Sequence, residues 1–423
     1  MVQLFKKITD YIKGQQCYVD KTYWLLFGTL IIVAIIALFS ASSSLAYKAD
    51  SALEPVANQI LFMLFGVVVA FVLQFVPSKW IRILGYVGFV VSFVLLMLTY
   101  TPLGVTHNGA RRWLCLAGIE FQPSEIAKLT LLIVVSDLLS RIKNPKDEKK
   151  YFFAVLGATI FICLPILPSN LSTVILLGGV IFLLLFLARV NMKYVGALLL
   201  TAMALMVAGY FVVEYCYIKP HKEIGEKNIM KRAITWVSRV DDVLEKHKEP
   251  DTAEFQITDD NCQQAYAKVA IARGGKSPVG VLPGNSTVRD YLPLAFADYI
   301  FAIIVEETGF VGALMLILLY VAILFRACLT SSKYADYFAM LMVMGLALMI
   351  TCQALVSMLV VVGIGPVTGQ PLPMISRGGT SVVVTSVYFG IMMGVAREQN
   401  ELHARQQATT DASRETVPEI ELD

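Results

Sequence analysis

Long runs of apolar residues, repeated along the whole chain, constrain its fold more than any other feature of the sequence. A membrane-spanning helix needs about 20 predominantly apolar residues, and ten runs are candidates for such helices. The runs lie at about Tyr23–Ser40, Ile60–Val76, Ile83–Tyr100, Ile126–Leu139, Phe152–Leu167, Leu171–Ala188, Val195–Val213, Tyr299–Phe325, Tyr337–Val361 and Ser381–Val395. The sequence therefore predicts an all-α polytopic membrane protein with ten transmembrane helices.

Composition supports this class and excludes others. Of the 423 residues, 57% are hydrophobic and only 16% are charged, whereas soluble domains carry about 25% charged residues. Too little charge remains to cover a surface that faces water, and the net charge of +3 is too small to indicate a nucleic-acid partner. An ordinary cytoplasmic enzyme, a disordered protein and a nucleic-acid binder are excluded.

Basic residues in the short connections predict the orientation, because cytoplasmic connections carry an excess of Lys and Arg. With the N-terminus inside, the short outer connections hold only Lys48, Arg111, Arg112 and Arg377. Residues 1–22 are then a cytoplasmic segment, 23–396 a membrane domain, and 397–423 a disordered cytoplasmic tail. A large extracytoplasmic loop covers 214–297, and connections of that length are usually functional.

The first outward stretch rich in polar residues joins Gly109-Ala110-Arg111-Arg112-Trp113 to Phe121-Gln122-Pro123-Ser124-Glu125-Ile126-Ala127-Lys128. Pro123 and Ser124 indicate a helix start, with Ser124 as a candidate cap. Glu125 and Lys128 are three residues apart, where they can pair on one helix face. Two interpretations stay open: a structural ion pair with two snorkelling arginines, or a cationic rim that binds a phosphate.

The second stretch runs from Asn285 and Ser286 through Asp298, where the long loop re-enters the membrane, to Glu306 and Glu307. A partly desolvated aspartate has a raised pKa, which suits a general base; the alternative is a helix N-cap. Eight helical residues separate Asp298 from Glu306, which is about 12 Å and too far for a two-carboxylate mechanism without a bend. The glutamates are predicted to hold helices together inside the bundle.

The third stretch, from Gly365 to Ser381, contains Ser376 and Arg377. Its three prolines and four glycines in seventeen residues prevent a regular helix. Irregular backbone at membrane depth is tolerated where it is buried in protein or lines a wet cavity. A re-entrant loop lining a groove is predicted here, and a plain outer turn is the alternative.

Together the three stretches resemble the SEDS family (shape, elongation, division and sporulation) of bacterial envelope proteins. The resemblance covers about residues 22 to 396 and includes the span layout and the large outer loop. Gly-Ala-Arg-Arg-Trp and Thr-Gly-Gln-Pro-Leu-Pro look more like the division branch of the family than its elongation branch. One departure is Asn170, where the family often has Asp; another is the segment Arg273–Pro278, which replaces a more usual apolar run.

The resemblance implies a peptidoglycan glycosyltransferase that polymerises lipid II on the outer face. The family's essential aspartate maps onto Asp298, which would deprotonate the acceptor sugar while undecaprenyl pyrophosphate leaves. The resemblance also implies a class B penicillin-binding protein, a transpeptidase, as partner, alongside other membrane proteins of the division machinery. Candidate residues that bind the diphosphate or the sugar are Arg111, Arg112, Glu125, Lys128, Asn285, Ser286, Ser376 and Arg377.

Other functions remain open at this stage. No cofactor is implied with certainty; a divalent cation, Mg or Mn, at the pyrophosphate is a possibility. A lipid II flippase would use charged residues inside the bundle, such as Glu306 and Glu307, and a division scaffold would use the tail and the outer loop to recruit partners.

Overall fold

The fold is mostly helical. A computed structural model describes residues 18–42, 54–107, 110–116, 118–213, 262–282, 284–288, 291, 297–334, 336–364 and 369–415. Its helices are α1 (Lys21–Ser42), α2 (Glu54–Leu73), α3 (Ser78–Leu98), α4 (Pro123–Ser140), α5 (Pro145–Ile166), α6 (Leu171–Leu187), α7 (Met192–Val213), α8 (Cys262–Gly275), α9 (Ile300–Ser331), α10 (Tyr337–Val362) and α11 (Gly379–Glu415). Four parts named in the sequence analysis lie outside the described residues: Lys48, Gly109, 365–368 of the third stretch, and 214–261 of the loop predicted to be extracytoplasmic, for which the name outer loop is kept.

Eight of the helices in the described part of the chain are long and apolar enough to cross a membrane. The predicted fourth and sixth spans lie on α4 and α6, which fall short of that standard. Helix α4 carries three charged residues, and α6 is only 17 residues long. A polytopic, mainly helical membrane fold is confirmed, and the count of ten spans stays a prediction.

The helices turn apolar side chains outward as well as inward, as expected of a chain that lies in lipid. Leu61 on α2, Leu84 on α3 and Leu200 on α7 are 65%, 58% and 68% exposed. Helices α4 and α10 form the centre and are buried along most of their length. Helix α10 contacts α4, α6, α9 and α11.

A small antiparallel sheet between α3 and α4 corrects the all-α prediction. Its strands are β1 (Gly104–His107), β2 (Ala110–Leu116) and β3 (Ile119–Phe121), in the order β1-β2-β3. Strands this short show too little alternation of apolar and polar residues to be predicted from a single sequence. The sheet places Arg111 and Arg112 on its central strand.

Helix α9 is broken at Gly309, where the backbone has φ 69° and ψ −164°. An uninterrupted helix would pair the N–H groups of Phe310 and Val311 with the carbonyls of Glu306 and Glu307 four residues earlier. The break separates these four groups, and each needs another partner, because an unpaired buried backbone group is costly.

Residues 277–282 of the outer loop, here named the bracing segment, supply all four partners. Val281 and Leu282 donate to the carbonyls of Glu306 and Glu307, at 3.0 and 2.9 Å. The carbonyls of Ser277 and Pro278 accept from Phe310 and Val311, at 3.4 and 3.2 Å. The end of the outer loop is therefore built into the broken helix.

Helix α11 continues to Glu415, so the prediction of disorder from residue 397 is wrong for 397–415; residues 416–423 lie outside the described part. Arg397 is 2% exposed and donates to the backbone carbonyl of Gln74 at 2.9 Å. Glu398 accepts from the backbone N–H of Ser78 at 2.9 Å. These contacts with the α2–α3 turn stabilise a helix that polar composition alone does not predict.

Candidate active site

Asp298 lies immediately before α9 and is half-buried. The residue at the N-cap position of α9 is Tyr299, and no side chain there makes a capping hydrogen bond. The alternative that Asp298 is a helix cap is therefore contradicted. Burial raises the pKa of the Asp298 carboxyl. The positive charge of Arg112 acts in the opposite direction but is the smaller effect, so the pKa stays above its ordinary value.

The third stretch lies directly against this carboxylate. Gly369 has φ 60°, and a Cβ atom built on it would lie 3.3 Å from Oδ2 of Asp298. A side chain at residue 369 would therefore crowd the carboxylate and strain the backbone, since L-residues rarely adopt positive φ. Glycine at residue 369 therefore lets the backbone of this stretch lie close to Asp298 without crowding its carboxylate.

Four buried or half-buried groups hold residues 369–378, here named the motif loop. The hydroxyl of Tyr320 donates to the carbonyl of Pro373 at 2.6 Å, and the side-chain amide of Gln353 donates to the carbonyl of Pro371 at 3.0 Å. Gln59 donates to the carbonyl of Ser376 at 3.4 Å and accepts from the N–H of Gly378 at 3.3 Å. Ser376 itself accepts from Leu372 N–H at 2.8 Å, so its hydroxyl closes the loop.

The motif loop is also joined to the start of α6. The side-chain amide of Gln370 lies 2.8 Å from Oγ1 of Thr173 and 3.0 Å from Oγ of Ser172. Asn170 caps α6 by accepting from the N–H of Thr173 at 3.2 Å. An amide oxygen performs this role as well as a carboxylate does, which accounts for Asn at this position.

The turn that precedes α6 also holds Arg112 in place. Its Nε donates to the carbonyl of Ser169 at 2.8 Å. The turn before α6 thus links the strand that carries Arg112 to the loop that packs against Asp298. Arg111, the neighbouring cation, is exposed.

The predicted pair of Glu125 and Lys128 forms at 2.8 Å, and both side chains are buried. Lys128 is 1% exposed and also donates to Oε1 of Gln353 at 2.9 Å. This network places Lys128 behind the motif loop, not at an open rim. Ser124 is not the cap of α4, because the helix begins at Pro123 and residue 122 holds the cap position.

The two intramembrane glutamates bind the end of the outer loop. Glu306 accepts from the Ser286 hydroxyl at 2.5 Å and lies 3.2 Å from a guanidinium nitrogen of Arg273. Glu307 accepts from the Ser40 hydroxyl and from the N–H of Gly284, the latter at 3.1 Å. Both carboxylates are committed to bonds inside the bundle.

The remaining predicted residues are spread over two places. Asn285 is exposed and donates to the carbonyl of Val281 at 3.2 Å, beside the break in α9. Arg377 is half-buried at the end of the motif loop, and desolvation lowers its pKa. Arg112 and Asp298 are brought together, whereas Glu125, Lys128 and Ser376 support the motif loop from behind.

Several residues that build this site were not identified as site residues from the sequence: Gln59, Arg273, Tyr320, Gln353, Gly369 and Gln370. Gln353 had a detectable signal, because an amide inside an apolar span is costly unless it has a partner. The others depend on contacts between distant segments. Among the described residues, no group of three or more His, Cys, Asp and Glu side chains is placed to hold a metal ion.

Comparison with known proteins connects this geometry to a family. Residues 20–401 match the family model described as cell cycle protein and named for FtsW, RodA and SpoVE. A peptidoglycan glycosyltransferase, MrdB of Escherichia coli, is 27% identical over 89% of this chain and 93% of its own length. A probable peptidoglycan glycosyltransferase, FtsW of Mycobacterium tuberculosis, is 30% identical over 90% of this chain and 68% of its own length.

Solved structures agree at the level of the fold. A chain from a peptidoglycan synthase complex, studied for the coordination of polymerization and crosslinking, matches 90% of this chain and 98% of its own length, with 24% identity and a TM-score of 0.70. The rod shape determining protein RodA of Thermus thermophilus covers 90% of this chain and 97% of its own length, with 22% identity and a TM-score of 0.59. The chain belongs to the FtsW/RodA/SpoVE family of SEDS proteins.

Proposed function

We propose that this chain polymerises lipid II into glycan strands on the outer side of the inner membrane, with Asp298 as the general base. The enzyme class, peptidoglycan glycosyltransferase, is the one that curated relatives carry in their names. One observation supports the role of Asp298 most strongly. Burial raises the pKa of its half-buried carboxylate, which feels the charge of Arg112 and lies against the backbone of Gly369.

In this mechanism Asp298 removes the proton from the acceptor sugar 4-hydroxyl. The oxygen then attacks the anomeric carbon of the donor, and the bond from that carbon to undecaprenyl pyrophosphate breaks with inversion. Arg111 and Arg112 offset the charge on the departing diphosphate, a task that suits the guanidinium group. A divalent cation, Mg or Mn, at the pyrophosphate would add to the positive charge of Arg111 and Arg112, and a chelator in the assay tests whether one contributes.

The deciding experiment compares Asp298→Asn with the wild type in lipid II polymerisation by the purified protein and its transpeptidase partner. A positioned general base contributes about 10²–10⁴-fold, so the variant should lose at least about 100-fold in rate. Glu120→Gln, which removes an exposed carboxylate from β3, is the matched control and should keep its activity. An Asp298→Asn enzyme that polymerises at the normal rate would contradict the proposal.

The arrangement in the membrane is proposed to be ten spans with both termini in the cytoplasm. The residues just before α1 and the extension of α11 are in contact, since Asn400 donates to the Tyr18 carbonyl at 3.0 Å. His403 on the same extension lies 3.2 Å from the carbonyl of Lys333, in the turn between α9 and α10. The residues before α1, the turn that holds Lys333 and the α11 extension therefore lie on one face. The positive-inside rule places a face with such basic connections in the cytoplasm.

Labelling with a membrane-impermeant thiol reagent tests the orientation. In a cysteine-free background, Lys276→Cys should react in intact cells and Arg405→Cys should react only after the membrane is opened. The reverse pattern would overturn the topology.

We further propose a class B penicillin-binding protein as partner and the division septum as the place of action. The fold match to a complex that coordinates polymerization and crosslinking supports such a partner. Division rather than elongation rests on the form of the first and third motifs. Complementation of division-depleted and elongation-depleted strains discriminates between the two roles.

The alternative of lipid II flipping has less support, because Glu306 and Glu307, its charged candidates, are buried in bonds to the outer loop. Transport in proteoliposomes that survived Asp298→Asn but not loss of Glu306 would favour it. A silent scaffold would be indicated if Asp298→Ala complemented a depletion strain.

A further inference from the structure

Arg273 lies near the end of α8, and the structure shows that it contacts a buried carboxylate of α9. Its guanidinium group lies 3.2 Å from Oε1 of Glu306, a carboxylate that is 0% exposed. It also donates to the hydroxyl of Thr287. In the described part of the chain, Arg273 is the only cation paired with Glu306.

Backbone packing places Arg273 firmly against α9. It lies in the last turn of α8, and a Cβ atom added to the next residue, Gly274, would come within 2.0 Å of the carbonyl of Val305. Gly280 in the bracing segment is equally close, since its Cβ would lie 2.6 Å from the carbonyl of Glu306. The end of α8 and the bracing segment therefore touch the backbone of α9 on both sides of the ion pair.

These contacts lie at one end of a short rigid element. Ile300–Thr308 forms a half-helix between Asp298 and the break at Gly309. Six of the eight residue steps from Asp298 to Glu306 lie in this half-helix, which gives about 9 Å of rise from Ile300 to Glu306. A shift or tilt at the Glu306 end is transmitted to Asp298, and a displacement of about 1 Å at a reacting group costs on the order of 100-fold in rate.

We propose that Arg273 is a positioning residue for Asp298: by pairing with Glu306, it holds in place the half-helix that directly follows the base, and so holds Asp298 in its productive position. The inference rests on the proposed function. Helix α8 of the outer loop would then affect catalysis through Arg273 although it does not contact the substrate.

The physical signature is an asymmetry between the two partners. Arg273→Gln leaves a fully buried carboxylate without its cation, which is strongly unfavourable. Glu306→Gln leaves an arginine that is 44% exposed and can turn to water, and the new amide oxygen still accepts from Ser286. Removing both charges leaves no buried charge unpaired.

The test measures lipid II polymerisation by the full-length protein with its transpeptidase partner, per folded molecule, for four variants. Arg273→Gln should lower kcat by about 10-fold or more with KM little changed. Arg273→Gln combined with Glu306→Gln should recover to the level of Glu306→Gln alone, because the uncompensated carboxylate that displaces the half-helix is then gone. Lys276→Gln, the matched control, removes an exposed cation three residues further on and should act like the wild type.

Equal activity of Arg273→Gln and the wild type would overturn the inference, as would a double variant no better than Arg273→Gln. A loss of folded protein with unchanged kcat per folded molecule would also overturn it, since the pair would then be only structural. Failure of the proposed function gives a different result from failure of this inference. In that case Asp298→Asn would polymerise lipid II at the wild-type rate, whatever the Arg273 variants do.

Discussion

The ionisation of Asp298, the proposed general base, determines the pH dependence expected of the enzyme. The base acts only as a carboxylate, so kcat should rise with pH through its pKa, which burial raises. Arg112 opposes this effect and lowers the pKa. Arg112→Gln should therefore move the acid limb of the kcat profile to higher pH, because the neutral side chain no longer stabilises the carboxylate.

Arg111→Gln provides the control for that profile. It removes the same charge from the exposed neighbouring residue, and its acid limb should stay where the wild-type limb lies. Equal shifts in both variants would attribute the effect to general loss of positive charge, against a specific action of Arg112.

Gly369 gives a second prediction at the level of single residues. Gly369→Ala places a Cβ 3.3 Å from Oδ2 of Asp298 and forces alanine to φ 60°. We expect polymerisation to fall by about 10-fold through displacement of the carboxylate. Gly378→Ala, in the same loop, meets only the Cβ of Ser381 at 3.6 Å and should retain its rate. Full activity of Gly369→Ala would show that the approach of the motif loop to Asp298 is unimportant.

Among the elements, α9 shows most clearly how an interruption in a helix is stabilised. The bracing segment pairs all four backbone groups that the break at Gly309 separates. Residue 309 itself has no room for a side chain. A Cβ on residue 309 would lie 2.5 Å from Gly280 N and from the carbonyl oxygen of Ser277. The glycine of the Glu-Glu-x-Gly motif thus permits loop and helix to meet.

Gly309→Ala should destabilise the protein by at least about 2 kcal/mol, from the cost of positive φ together with the collision. Thermal unfolding in detergent measures this effect as a lowered midpoint. Gly178→Ala on α6 is the control, because its Cβ meets nothing within 4 Å and alanine favours a helix. A midpoint for Gly309→Ala equal to that of the control would contradict the role assigned to the break.

At the scale of the whole molecule, buried polar contacts connect segments far apart in the chain. On the face opposite the site, Asp137 is 1% exposed and pairs with Arg141 at 2.7 Å and with Arg82 at 3.3 Å. The α11 extension joins the same face through Arg397 and Glu398. These groups connect the helix ends on that face, which the proposed topology places in the cytoplasm.

Truncation tests the part played by α11. A chain that ends at Gln407 keeps Arg397, Glu398 and their bonds to the α2–α3 turn, and its thermal midpoint should equal that of the full chain. A chain that ends at Ala396 loses these bonds and leaves the Gln74 carbonyl without its donor, so its midpoint should fall clearly. Equal thermal midpoints for the two truncated chains would instead support the prediction that residues from 397 onwards are disordered.

The sequence predicted the charged residues of the site but not the polar residues that hold its loop. Asp298, Arg112 and the Glu125–Lys128 pair are recognisable in the sequence, because charge is costly beside lipid and persists where it has a partner or a task. Gln59 and Tyr320 could not be recognised, since each acts on a motif loop that is distant in sequence. Asp298 as a cap was an open alternative, and only the position of Tyr299 at the start of α9 excluded it.

The sequence by itself determined the membrane class, the approximate helices, the family and the residue proposed as base, because hydropathy and motif residues are local properties of a chain. Only the tertiary structure decided that Lys128 faces inward, that Gly309 breaks α9, that Arg273 pairs with Glu306 and that Arg397 anchors α11. Each of these depends on which distant backbone groups and charges meet. Burial makes such pairing obligatory, but the pattern of one sequence does not specify the partner.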